Sequence, residues 1–421
     1  MDKINRRSKK LNLLLQCILI LTMYLFIYSN LGSSGITGRY KYILGMIFSP
    51  FMIIIYLNNK KKLLKIIRIV LSWNFIILFI LTLILIASNC INTTESFLES
   101  NPLKELVLNL FFDIIYLLFF LTILSKKDLK EKIYYLIKSY ILCISLDNVF
   151  AILRYFNETF NEICLVIYPA ENKIMEHYIF SKERLVGLGG FFFGGGIQNV
   201  ISLLLIYFLL KSKKVKLKEK YILYTLFGFN FIVGILISRT TILGLFLVII
   251  YGISIQKKKI FKGLKLLLFM LFFIILLYQF LSFLPSEVQY KINYFIFEQG
   301  EKSLKHLLEF YDVIPKEMKT ILIGDLKWGN VNTGYYMGID VGYLRYIFYG
   351  GIFFLIFMIL FNYFLISDIN DKYLKKLGRI LFIFYLILML KGYVTYLSIS
   401  FLLYFITRYN KKGGNGVTLS N

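Results

Sequence analysis

The sequence predicts an all-α polytopic integral membrane protein with about twelve transmembrane helices, eleven being the alternative, and one large external loop before the tenth helix. Three observations carry that fold class. Of the 421 residues, 58% are hydrophobic and the mean hydropathy is +0.69, whereas a soluble domain is only about 45–50% apolar. Apolar runs near the ~20 residues that cross a bilayer recur along the whole chain. Basic residues also collect in alternate connections. The stretches 1–10, 58–68, 125–132, 211–220, 256–265, 367–379 and 407–421 hold 32 Lys or Arg, and the other connections hold 15, balanced by 16 Asp or Glu. That asymmetry places the first set in the cytoplasm.

Taken in order, the spans fall at 11–29, 42–57, 69–88, 106–124, 133–153, 191–210, 221–237, 241–255, 266–284 and 341–365. The basic start before Leu11 is like the n-region of a signal peptide, but a long apolar run without a small-residue cleavage site reads as a retained first helix. The last apolar block, 380–406, is long for one span and short for two. Lys391-Gly392 interrupts it, and Arg408, Lys411 and Lys412 belong in the cytoplasm, which favours two short helices turning at the outer face. Both termini are then cytoplasmic, and the abundance of Ile, Lys, Asn, Phe and Tyr, as an AT-rich bacterial genome encodes, places this multi-pass protein in a bacterial cytoplasmic membrane. The organisation is a single transmembrane domain, 1–421. It has a large extracytoplasmic loop at 285–340, a second at 154–190 and a disordered cytoplasmic tail at 411–421. Within the large loop, Val288, Ile292, Phe295 and Ile296 keep helical spacing, as do Leu304, Leu307, Leu308 and Tyr311 up to Pro315. Two amphipathic helices follow, lying on the membrane surface or packed on one another as a cap.

A net charge of +25 raises nucleic acid as a partner, and its placement excludes it. Clusters such as Lys60-Lys61-Lys62 and Lys257-Lys258-Lys259 sit beside apolar spans, where they face anionic lipid, and no folded basic face is left over. Cys17, Cys90, Cys143 and Cys164 show no CxxC and no zinc spacing. Cys17 and Cys143 read as small buried hydrophobes, and Cys90 and Cys164 both fall on the outer side, where pairing is open to them. His177 and His306, the only histidines, lie in the outer loops. No metal site and no cofactor are expected.

The residues that could carry chemistry stand at outer turns. Arg184 leads into Gly187, Gly189, Gly190, Gly194, Gly195 and Gly196, six glycines that let backbone and ligand approach closely. No Lys-Ser/Thr follows, so the run is not a P-loop; close helix packing is the other reading of these glycines, and a snorkelling anchor the other reading of Arg184. Arg239 lies in the very short turn Ser238-Arg239-Thr240 between two apolar spans. A charge there needs pairing or hydration, and a guanidinium fork suits phosphate oxygens. Asp113, Asp147 and Asp340 are its possible structural partners. Asp340 and Arg345 close the large loop. Asp340 can act as a general base, orient an arginine or cap a helix, and Arg345 enters the apolar phase and needs a partner. Asp113, Lys138, Asp147 and Lys391 also lie within or at the ends of spans, as functional groups or as ion pairs in the bundle.

Together these features resemble the Wzy-type O-antigen and capsular polysaccharide repeat-unit polymerases, relatives of the O-antigen ligases. The resemblance rests on the outer Arg-xx-Gly before a glycine-rich helix and on the Ser-Arg-Thr turn. It rests also on a late loop ending in Gly324-Asp325 and Asp340-Val341-Gly342-Tyr343-Leu344, then Tyr349-Gly350-Gly351. It implies a metal-independent glycosyltransferase that uses undecaprenyl-pyrophosphate-linked glycan as donor and acceptor, beside a flippase and a chain-length regulator. Arg184 and Arg239 then clamp pyrophosphate and, with Asp340, form the catalytic set. Tyr343 and Arg345 line the acceptor side, with Gly187, Tyr336 and Trp328 as further substrate-binding positions. The chain departs from the ligases in having Asp340 where they carry a His, and Ile197-Gln198-Asn199 where a Pro-Asn pair is usual.

The rival class is a lipid-linked oligosaccharide flippase. Such a transporter needs a central polar cavity built from charges deep in several spans, and here midspan charges are few while the outer loop is long. Large polyprenyl-phosphate-sugar transferases carry acids in the first outer loop, and the segment 30–41 has none.

Overall fold

In a computed structural model of the protein, residues 2–26, 36–70, 72–92, 102–167, 184–188, 192–212, 215–255, 308–330, 334–367, 369 and 371–410 are described, together with single helical positions between 275 and 305. The expected span 266–284, the paired amphipathic helices of the large loop, both histidines and the tail lie largely or wholly outside them.

The helices are α1 (Asp2–Phe26), α2 (Ile36–Leu57), α3 (Lys60–Val70), α4 (Trp73–Asn92), α5 (Pro102–Ile123), α6 (Leu129–Phe156) and α7 (Glu158–Ile167). After them come α8 (Phe192–Leu210), α9 (Leu217–Ile237), α10 (Thr241–Ile255), α11 (Met318–Ile323), α12 (Gly342–Ser367), α13 (Lys372–Lys391) and α14 (Ser398–Tyr409). Two short strands, β1 (Gly329–Asn330) and β2 (Gly334–Tyr335), pair antiparallel with Gly329 opposite Tyr335. Among the described residues, six helices are long and apolar enough to cross a membrane: Asn74–Asn92, Pro102–Ile123, Leu129–Phe156, Phe193–Leu210, Leu217–Ile237 and Gly342–Ser367. Apart from the β1–β2 pairing, the regular structure of the described residues is helical, and the chain is a multi-pass membrane protein. Besides α11 and the β1–β2 pair in the large loop, two helices were not expected. The basic connection 58–68 is itself a helix, α3, and the second loop opens with another, α7.

The start signals are ordinary ones. Asp128 caps α6 by accepting the Glu131 amide at 2.6 Å, and Asp371 caps α13 by accepting the amides of Tyr373 and Leu374, as a short acidic side chain does for orphan amides. The break anticipated at Lys391-Gly392 is present: α13 ends there, the chain extends through 393–397, and α14 follows. All four cysteines are free, so the pairing open to Cys90 and Cys164 is not made.

The chain divides into two compact units, one of residues 1–52 and 115–299, the other of 53–114 and 300–420. Inside the first, a polar ladder runs between α6, α8 and α9. Asn148 donates to the side-chain oxygens of Asn199 (2.8 Å) and Asn230 (3.0 Å), and Asn230 donates to Ser202 (2.7 Å). All four side chains are fully buried. Amides buried among leucines and isoleucines must find partners, so the ladder fixes how these three helices register.

The second unit is organised by a break inside α12. Gly351 has φ +76°, a left-handed conformation that costs any residue with a Cβ about 1–2 kcal/mol. With the helix interrupted there, the carbonyls of Phe348 and Tyr349 accept instead from the amides of Asp325 (2.6 Å) and Leu326 (3.0 Å). From the other side, α4 holds the same segment: Ser88 donates to the Ile323 carbonyl at 2.9 Å and Asn92 to that of Gly324 at 2.9 Å. The end of the late loop is thereby fastened between α4 and α12. A Cβ on Gly351 would strike the Leu322 backbone carbonyl. Gly351→Ala should therefore destabilise the protein by about 2 kcal/mol or more, read as a lowered melting temperature in detergent, whereas Ile352→Ala, one residue on, should cost less.

Candidate functional site

Within the first unit, the Arg184 segment and the Arg239 turn come together. Residues 184–188 run extended against α6 and the end of α9, where the Leu185 amide donates to the Leu236 carbonyl at 3.2 Å. That bond joins the residue after Arg184 to one three positions before Arg239. The glycine-rich start of α8 approaches the same turn, since a Cβ on Gly196 would meet the side chains of Ser238 and Thr240. The turn itself is tight: the Ser238 carbonyl accepts the Thr241 amide at 3.0 Å, and that of Arg239 accepts Ile242 at 3.0 Å. Arg184 and Arg239 are both half-buried.

Gly187 has a definite reason to be glycine. The Asp147 carboxylate occupies the space a Cβ would take. Asp147 Oδ1 accepts the Leu188 amide at 2.8 Å and the Tyr24 hydroxyl at 2.8 Å, while Arg154 donates to the Gly187 carbonyl at 3.2 Å. Asp147 is fully buried. The carboxylate thus straps the Arg184 segment onto the helices, and Gly187 serves this strap rather than presenting an open cradle. Within the first unit Asp147 therefore has a structural task.

The second unit holds the other expected residues. Arg345, in the first turns of α12, is only 8% exposed. A cation there stands at the positive end of a helix dipole, so it needs strong compensation. Asp340 lies 3.8 Å from its Nη1. Its guanidinium also lies against a pair of aromatic rings, 4.1 Å from the Trp328 centroid and 5.1 Å from that of Tyr393. Cation–π contact of this kind is worth up to about 2 kcal/mol when desolvated. The two rings meet edge to face at 4.5 Å, and the Tyr393 hydroxyl donates to Glu105 at 3.1 Å. Trp328 therefore packs on an arginine, and its face is engaged by protein.

Asp340 keeps 44% of its side-chain surface. Burial nevertheless raises its carboxyl to about 6, against the opposing pull of Arg345 and Lys391. The surface it retains moderates that burial, and the direction follows from an acid set at the edge of an apolar cluster of Ile339, Val341, Leu344 and Phe348.

Tyr336 and Tyr343, expected to meet substrate, have their hydroxyls bonded to protein. Tyr343 donates to the Leu386 carbonyl at 2.9 Å and Tyr336 to Asp325 at 3.3 Å. Asp325 also accepts from Thr320 at 2.7 Å. Tyr336 thus fastens the loop to itself, and Tyr343 ties α12 to α13. Glu105, Tyr393 and Asp325 were not singled out from sequence as functional. Glu105 carries no local pattern, and Tyr393 is one of 32 tyrosines; only the position of Tyr393 directly after Lys391-Gly392 could have marked it.

No protein-family model, no curated protein and no solved structure matches the chain. Function must be argued from the residues.

Two variants separate what Tyr393 contributes. Tyr393→Phe loses the bond to Glu105 but keeps the ring on Arg345, and should lower stability by about 1.5–3 kcal/mol, the range for a hydrogen bond to a charged group. Tyr393→Ala also uncovers the buried guanidinium and should cost clearly more. Thermal unfolding of the purified variants checks the order.

Proposed function

We propose that the protein is a membrane glycosyltransferase, a Wzy-like polymerase. It joins undecaprenyl-pyrophosphate-linked oligosaccharide repeat units into a surface polysaccharide, O-antigen or capsule, on the outer face of the cytoplasmic membrane. The observation that carries the reading is Asp340: a partly exposed carboxylate, poised near neutrality, beside a buried arginine at the mouth of a membrane helix. A general base works best with a pKa near the working pH.

In this reading Asp340 takes the proton of the acceptor sugar hydroxyl as that oxygen bonds to the anomeric carbon of the donor. The bond from that carbon to the pyrophosphate oxygen breaks, and undecaprenyl pyrophosphate leaves with the electron pair. Arg184 and Arg239, whose segments are tied together within the first unit, are assigned to the leaving charge, which fixed cations stabilise. Arg345, packed against the Trp328–Tyr393 pair and 3.8 Å from Asp340, orients the base. Twelve spans, cytoplasmic termini and partnership with a flippase and a chain-length regulator belong to the same proposal. The rival flippase reading would draw on the buried polar groups of α6, α8 and α9, but these bond to one another, which supports a structural ladder more than a transport cavity.

The deciding experiment is deletion of the gene in the host, with lipid-linked intermediates resolved by size and side. Single repeat units at the outer face without a ladder support the polymerase. Units trapped on the cytoplasmic side point to a flippase and end the proposal. In a reconstituted assay, activity should persist in chelator. It should fall about tenfold per unit as pH drops below about 6, because the ionised carboxylate is the active form and protonation removes it. Asp340→Asn and Arg239→Ala should each reach the membrane and make no polymer; a normal ladder from either removes that residue from the site.

A further inference from the structure

The helix α3 has no part in the catalytic reading, and its surface is divided in an informative way. Asn59 caps it, its side-chain oxygen accepting the Lys62 amide at 3.1 Å. At eleven residues it is about 16 Å long, far short of the ~30 Å hydrocarbon core. The apolar helical segment Gly45–Leu57 ends just before it, and the spanning segment Asn74–Asn92 begins just after it. Short links therefore hold α3 at the level where those segments leave the bilayer.

Three stripes run along it. Ile69 is 3% exposed and, with the half-buried Ile66 and Lys62, faces protein; Lys65 Nζ lies 5.3 Å from the Tyr409 ring of α14. A second stripe is apolar and uncovered beyond the first turn, where Leu64 is 52% and Ile67 40% exposed; the exposed Lys60 stands on the same face at the helix start. The third is basic. Lys61, Lys65 and Arg68 are exposed and fall within an arc of roughly 60° at helical spacing, next to the Leu64–Ile67 stripe. One side on protein, one greasy and one cationic is the pattern of a helix lying in a lipid interface.

We propose that α3 is an in-plane docking helix for anionic phospholipid, with Leu64 and Ile67 in the acyl boundary and Lys61, Lys65 and Arg68 on headgroup phosphates. The occupant is lipid rather than a protein partner because the cations flank the apolar stripe along the helix, and short links tie the helix to apolar segments on both sides. Each such cation favours an anionic surface by roughly fivefold. The inference does not depend on the glycosyltransferase reading.

The test uses the full chain, with Cys17 and Cys90 replaced by Ser, in bilayers of phosphatidylethanolamine and phosphatidylglycerol. Single spin labels are placed at Leu64→Cys and Lys61→Cys. The Leu64 label should meet oxygen more readily than a water-soluble nickel chelate, about 5–10 Å below the phosphates, and the Lys61 label should show the reverse. Spin-labelled phosphatidylglycerol should relax the Leu64 label more strongly than spin-labelled phosphatidylcholine. That preference should vanish when Lys61, Lys65 and Arg68 are all changed to Gln, with helix content unchanged. A Leu64 label open to the chelate overturns the proposal, as does one immobilised and shielded from both reagents, which marks a protein partner. A lipid preference unchanged in the triple variant overturns it as well.

Discussion

A polypeptide in a bilayer cannot leave backbone groups unpaired, because the hydrocarbon offers them no water. In the second unit that constraint shapes the break inside α12. Gly351 interrupts α12, and two carbonyls that would have closed helical turns take the amides of Asp325 and Leu326 instead. The interruption is sustained only because the late loop supplies donors, and the loop end is ordered only because the helix supplies acceptors. Ser88 and Asn92 of α4 complete the fastening. From that anchor the chain runs two residues to Trp328, which fixes the ring over Arg345. The geometry around Asp340 follows from a glycine eleven residues further along the chain.

Burying Arg345 at the start of a helix sets opposing effects against each other. The dipole disfavours it and desolvation disfavours it further. Asp340 and two aromatic faces oppose both. A 3.8 Å contact is longer than a charge-assisted hydrogen bond, which closes to about 2.7–2.9 Å. The ion pair alone is therefore weak, and the rings share the task. The first unit meets a similar demand with neutral groups: the Asn148 ladder satisfies itself inside the apolar helices, and Asp147 is met by an amide and a hydroxyl.

Much of this was legible in the sequence, and what was missed has physical causes. Spans such as 241–255 and 341–365 agree with α10 and α12 to within two residues, because long apolar runs with charged flanks leave the chain few alternatives. The break at Lys391-Gly392 was visible for the same reason. The helix α3 was not, since five Lys and Arg in eleven residues read as a charged connection until the three stripes of its surface are seen. The glycines after Arg184 are read from sequence as a close approach of backbone and ligand; at Gly187 what approaches is Asp147 of α6, forty residues earlier, and no local pattern encodes that pairing. Arg345 was seen to need a partner. Asp340, five residues away, was the visible half, while Tyr393 depends on a tertiary return of the chain.

The same distinction separates residues that can meet a substrate from residues that hold the place where it would bind. Tyrosines near a suspected sugar site invite a role in binding, yet the hydroxyls of Tyr336 and Tyr343 already donate to protein oxygens, and a donor in use cannot be offered twice. Trp328 has a guanidinium on its face, so a sugar stacking there would have to displace it or use the edge. Asp340 differs. Its contact with Arg345 exceeds hydrogen-bond length, and nearly half of its surface is open, so its lone pairs can still accept a proton. Among the residues gathered at the mouth of α12, the acid is the one whose chemistry is not consumed by the fold.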